Sequence, residues 1–210
     1  MADQLKVLVI CGSLRKGSYN AALTRALPAL APPEMKLITA PPIGSFPLYN
    51  ADIQDASGFP GPAEDLAAAI RDADGVLFVT PEYNWSMPGV LKNAIDWVSR
   101  YSSQPFNEHH GLLLSASPSM IGGNRGLWAL RVPLEHLGAR IYPNMSSLAQ
   151  AHHAFTDEGG IANEHLQDRF DANIVSFMDL VEAATHDPCV KKERVEHLGQ
   201  QPDPTIDRVE

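Results

Sequence analysis

The segment Gly12 to Asn20, G-S-L-R-K-G-S-Y-N, gathers hydroxyls, an amide and cations directly after the apolar run Val7-Leu8-Val9-Ile10-Cys11. Gly12 and Gly17 permit a sharp turn without a Cβ penalty, and Ser13, Ser18 and Asn20 carry groups able to donate to phosphate oxygens. Arg15 adds a cation. A helix opening near Ser18 would turn its unpaired N–H groups and the positive end of its dipole toward the same point, so the chemistry predicted here is anion binding.

Spacing narrows the anion. The dinucleotide fingerprint requires G-x-G-x-x-G and the P-loop requires G-x-x-x-x-G-K-[ST]; here Gly17 is followed by Ser18-Tyr19, and neither pattern is met. A hydroxyl-rich loop bearing one Arg suits a terminal phosphate monoester, and FMN has such an end. Taken alone, the segment is also what a plain helix-capping turn looks like.

Two further stretches have chemical character. Thr80-Pro81-Glu82-Tyr83-Asn84-Trp85-Ser86-Met87-Pro88-Gly89 combines stiffening prolines with flat apolar rings and an amide, the surface a planar heterocycle such as an isoalloxazine needs. Tyr83 and Trp85 are equally ordinary surface anchors when read singly. Ser115 to Arg125, S-A-S-P-S-M-I-G-G-N-R, keeps large polar side chains away, so hydroxyls of residues such as Ser117 and backbone near Gly122 can approach a ligand closely. Three ligand-like loops in one chain carry more weight than any one of them.

The elements needed to position these loops follow from the apolar pattern. Short apolar runs predict strands at Leu5 to Cys11, Lys36 to Thr39, Gly75 to Thr80, Gly111 to Ser117 and Arg140 to Tyr142. Helical spacing predicts helices at Ser18 to Leu30, Pro62 to Ala73, Gly89 to Arg100, Asn124 to Leu137 and Ala162 to Ala184. Such alternation implies an α/β fold with a doubly wound, five-stranded parallel sheet, covered on both faces. In the order 2-1-3-4-5 the ligand crevice lies between strands one and three, at their carboxyl ends. Gly138 stands where a helix-terminating glycine is expected. Ala40 to Gly61, rich in Pro, Gly and Asp, reads as a long loop. Residues 1–185 are expected to form one domain, and 186–210 a polar, poorly ordered tail in which a docked helix around Lys191 to Leu198 is an alternative.

Composition sets outer limits. The 210 residues carry a formal net charge of −9, which argues against a nucleic-acid partner. Neither a secretory leader nor a membrane span is recognisable, so a cytoplasmic protein is expected. The two cysteines form no disulfide framework or metal pattern, and Cys11 reads as a small buried apolar residue. His109-His110 and His152-His153 read as surface or loop histidines rather than ligands, so no metal site is expected. Lys92 and Asp96 are spaced for a helix-surface ion pair.

The G-S-L-R-x-G-S-x-N loop, the P-E-Y-N-x-S-x-P-G-x-L-K-N-A-I-D-W block and the later G-G-x-R with Leu130-Arg131 resemble the NADPH-dependent FMN reductase family, including its quinone, chromate and azo reductases. The likeness runs from about Leu5 to Leu180. It implies a flavodoxin-like fold and tightly bound FMN. It also implies two-electron, ping-pong hydride transfer from NADPH or NADH to small acceptors in a homodimer or homotetramer. On the matching positions, Ser13, Arg15, Ser18, Tyr19 and Asn20 take the phosphate. Pro81, Glu82, Tyr83, Asn84 and Trp85 line the flavin, with Ser117 and Gly122 on the third loop. No side chain needs to act as a nucleophile or general base, because the flavin carries the hydride. The chain departs from the family at Trp85 and Ser119, so acceptor preference does not carry over. The rival reading is a flavodoxin-like electron carrier without NAD(P)H turnover. Arg100, Arg125 and Arg131 remain available for a 2′-phosphate or for subunit contacts.

Overall fold

The structure, a computed structural model, describes residues 4–186; the predicted tail after His186 lies outside these residues. Strands β1 (Leu5–Cys11), β2 (Met35–Thr39), β3 (Gly75–Val79), β4 (His110–Ala116) and β5 (Arg140–Ile141) form a parallel sheet in the order β2-β1-β3-β4-β5. This is the predicted architecture. A sixth strand, β6 (Ser146–Leu148), was not foreseen; it pairs parallel to β4, with Leu114 opposite Ser146 and Ala116 opposite Leu148. The outer partner of β4 is thus divided, β5 meeting its start and β6 its end.

Successive side chains of the strands point to opposite faces and feed separate cores. Val7, Val9, Leu77, Val79, Leu112 and Leu114 pack against α1 (Tyr19–Leu30) and α6 (Glu164–His186). Leu8, Ile10, Val76, Phe78 and Leu113 pack against the helices on the other side, α3 (Gly61–Asp72), α4 (Gly89–Val98) and α5 (Asn124–His136). Burial on both faces explains why the central strands read as continuous apolar runs.

The stretch expected as a long loop carries structure of its own. Ile43–Ser45 forms a single 3-10 turn, and α2 (Ala51–Ser57) is a short helix capped by Asn50, whose side chain accepts the Asp52 N–H at 2.9 Å. No residue of α2 is buried, so it leaves no apolar stripe in the sequence. His110 is also corrected: it is buried at the start of β4 rather than on the surface. Cys11 is half-buried rather than fully buried, because β1 ends there and its face opens toward the first loop.

Candidate active site

The three predicted ligand loops leave adjacent strand ends and touch one another. Gly12 N donates to Val79 O at 2.9 Å, and a Cβ on Gly12 would collide with the Thr80 side chain. Only glycine lets the exit of β1 run this close to that of β3.

Ser18 is buried at the head of α1 with extended backbone, and its Oγ accepts the N–H groups of Asn20 at 3.1 Å and Ala21 at 3.4 Å. That is an N-cap, and the hydroxyl proton remains available to donate outward. No acidic residue stands in the first turn of α1, so nothing local cancels the positive end of its dipole. Arg15 is exposed, with its guanidinium carbon 5.7 Å from the centre of the Tyr19 ring. Ser13 and Tyr19 are half-buried at the loop surface. This donor set fits a phosphate monoester.

Asn20 is placed differently from the sequence reading. Its side chain is buried, with Nδ2 donating to Ala116 O at 2.8 Å and Oδ1 accepting the Ala116 N–H at 2.9 Å. The amide is turned to the sheet and ties α1 to the exit of β4, where backbone groups would otherwise lack partners. Through these two bonds it holds the phosphate-loop end of α1 in position.

In the second loop, Tyr83 and Ser86 form an antiparallel bridge, with N–H···O distances of 2.8 and 3.0 Å. Asn84 (φ 50°) and Trp85 (φ 66°) both occupy the left-handed region, the signature of a type I′ turn. For a bulky residue such as Trp85 that backbone costs roughly 1–3 kcal/mol. The turn lifts Tyr83 and Trp85 into solvent, 51% and 70% exposed. Pro81 is half-buried, and buried Pro88 precedes α4.

Glu82 holds the second loop to the third. Its Oε1 stands 2.9 Å from Arg125 Nε, and its Oε2 accepts the backbone N–H groups of Arg125 at 3.0 Å and Gly126 at 3.3 Å. The carboxylate therefore sits at the positive end of α5 as well as beside a cation. Arg125 in turn lies 4.0 Å from the centre of the Trp85 ring. Arg125 is committed to this stack. Arg131 is committed to Glu135 and to the carbonyls of Ile141 and Tyr142. Both cations therefore already have partners within the chain.

The third loop is held from within. Ser115 Oγ donates to Gly122 O at 2.7 Å, while Gly122 N donates to Ser119 O at 3.3 Å. Ser117 Oγ accepts the Ser119 N–H at 3.2 Å, and Ser117 N donates to Leu148 O at 3.0 Å. Strand β6 adds one hold from outside, through Leu148. Gly122 is buried, its own N–H already paired, and half-buried Ser117 remains at the surface.

The block after Pro88 makes contacts away from the second loop. Asn93 Oδ1 accepts the Tyr49 N–H at 2.8 Å and its Nδ2 donates to Pro47 O at 2.9 Å, while Trp97 Nε1 donates to the same carbonyl at 2.8 Å. Sequence reasoning gave these residues no role. Their spacing of four on one helix was the available signal. Lys92 and Asp96 form the predicted surface pair. Among the described residues no group of three or more His, Cys, Asp or Glu is gathered for a metal ion, and no helix is long and apolar enough to cross a membrane.

A parallel sheet in this order, with a capped anion site after β1 and exposed aromatic groups after β3, defines a flavodoxin-like, cofactor-binding α/β protein. Residues 5–153 match the NADPH-dependent FMN reductase family, and the chain belongs to it. It is an oxidoreductase that uses FMN, with NAD(P)H as electron donor. It is 48% identical over 141 residues to the quinone reductase of Escherichia coli, a match covering 67% of this chain and 75% of that protein. It is 43% identical over 165 residues to an NAD(P)H-dependent FMN reductase of Pseudomonas aeruginosa, covering 78% and 88% of the two chains. Among solved structures, the flavoenzyme NAD(P)H:(acceptor) oxidoreductase of Paracoccus denitrificans superposes with a TM-score of 0.75 at 30% identity, covering 85% of this chain and 97% of that one.

Proposed function

We propose that the protein passes two electrons from NADPH or NADH to small acceptors, quinones foremost, with donor and acceptor entering one open site in ping-pong order. The observation that carries this reading is that β1 and β3 leave the sheet in contact, Gly12 against Val79 and Thr80, so that the capped α1 terminus and the exposed Tyr83–Ser86 hairpin follow from neighbouring strand ends. FMN supplies the hydride chemistry when bound. Ser13, Arg15, the Ser18 hydroxyl and the Tyr19 backbone bind its phosphate. Pro81, Tyr83, Asn84 and Trp85 form the ring wall, Glu82 fixes that wall to α5, and Ser117 and Gly122 shape the opposite side. Because Trp85 and Met120 are exposed beside this space, flat acceptors of several kinds can stack there, chromate and azo compounds among those to be tried.

Residues 1–185 act as the single functional unit in this reading. Exposed Trp128 and Val132, four apart on α5, suit contact with a second copy, so we assign a homodimer or larger assembly. The reading includes a cytoplasmic location, where NAD(P)H is supplied.

The test is steady-state kinetics of FMN-loaded protein with NADPH and with NADH against quinones, chromate, an azo dye and free flavin. Parallel double-reciprocal lines with at least one quinone are expected. Intersecting lines would overturn the ping-pong order. NAD(P)H left unoxidised with every acceptor would overturn the reading and favour an electron carrier.

A further inference from the structure

Asn93, Trp97 and Tyr101 are spaced by fours along α4 and the turn after it, and all three grip the chain that follows β2. Beyond the hydrogen bonds to Pro47 and Tyr49, the fully buried Trp97 ring meets Tyr49 edge-on with centroids 5.0 Å apart, and Phe59 at 6.4 Å. Phe59 stacks on Tyr101 at 3.9 Å. The segment is thus fixed at Pro47, Tyr49 and Phe59. Its leading part buries Ile43 and Phe46 in the core shared with α4. Gly44, between them, lies under the Leu14 side chain: a Cβ at position 44 would stand 2.9 Å from Leu14 Cδ2. Leu14 separates Ser13 from Arg15 in the phosphate loop.

An amide whose oxygen and nitrogen both serve backbone groups more than forty residues away orders a remote segment. That segment is pressed against the one apolar side chain of the phosphate loop's first turn. We propose that Asn93 is a positioning residue for the phosphate end of FMN: by fixing Pro47 and Tyr49 it holds Gly44 against Leu14, and so holds Ser13 and Arg15 in place. The inference rests on the reading that the Gly12 to Asn20 loop takes the FMN phosphate.

Riboflavin, which has the ring and ribityl chain but no phosphate, separates this role from general support. Apoprotein is titrated with each flavin by fluorescence. For Asn93→Ala, FMN affinity is expected to fall about five- to twentyfold while riboflavin affinity changes less than about twofold. Asn93→Asp keeps an acceptor for the Tyr49 N–H and should restore part of the loss. Gly44→Ala, which displaces Leu14 and leaves the α4 contacts intact, should shift the FMN-to-riboflavin ratio in the same direction. Should Asn93→Ala fail to fold, Trp97→Phe removes the donor to Pro47 O, retains a ring, and should move the same ratio. Equal weakening of both flavins, or of neither, overturns the positioning role. Arg15→Ala is the control, with FMN expected to bind about ten- to a hundredfold more weakly and riboflavin unchanged. If Arg15→Ala does not discriminate, the phosphate assignment itself fails. If it does and Asn93→Ala does not, only the positioning inference fails.

Discussion

Glu82 shows how much structural work a residue chosen for its place in a motif can do. One carboxylate neutralises Arg125, accepts two N–H groups at the head of α5, and steadies the cation beneath Trp85. Each of these contacts joins the second loop to the third loop, so the left-handed Trp85 is held from its side-chain end as well as by its turn. Asp171 is the opposite case. Its Oδ1 has no hydrogen-bond partner among the described residues, and burial, then the neighbouring Asp168 charge, raises its pKa above the ordinary 3.8, with a Gln167 hydrogen bond opposing. A carboxyl with a raised folded-state pKa binds more protons folded than unfolded. Stability is therefore lost as pH rises from the ordinary Asp value through the raised one. Asp171→Asn should raise the urea midpoint at pH 7, and the gain should vanish in acid below the ordinary carboxylate range. A gain independent of pH would show that packing, not charge, sets the difference.

Among elements, α1 is attached at its head rather than only along its apolar face. Asn20 bonds both backbone groups of Ala116, 96 residues away, in a buried setting. Asn20→Ala strands those groups and should lower unfolding free energy by about 2–4 kcal/mol, read from urea denaturation, with faster hydrogen exchange at the Ala116 amide. What the sequence made legible follows the same division between local and remote causes. The opening of α1 at Ser18, the glycine that ends α5 at Gly138 (φ 86°) and the apolar runs of β1, β3 and β4 are local signals, and each appears where it was read. Strand β6 is three residues with two serines, and α2 buries nothing, so neither carries a pattern. The partners of Asn20, Glu82 and Asn93 lie 96, 43 and 44 residues away. Side-chain type gave their capacity to hydrogen-bond, but only topology decides the recipient.

At the scale of the whole molecule, the two faces of the sheet are both closed by helices, and large exposed apolar side chains concentrate elsewhere. Trp85, Met120, Trp128 and Val132 are each more than half exposed, on the second loop, the third loop and α5. A surface of that kind costs solvation unless covered. Trp128→Glu combined with Val132→Glu should weaken self-association at least about tenfold in sedimentation velocity, while a wild-type chain that is monomeric at the working concentration would remove the assignment.

The three tryptophans also divide by environment: Trp97 is fully enclosed, whereas Trp85 and Trp128 are open to water. Their emission accordingly contains one component that acrylamide or iodide cannot reach and two that it can. Quenching the accessible pair leaves a blue-shifted signal from the ring bonded to Pro47, so the molecule contains its own optical gauge of whether the chain after β2 is seated.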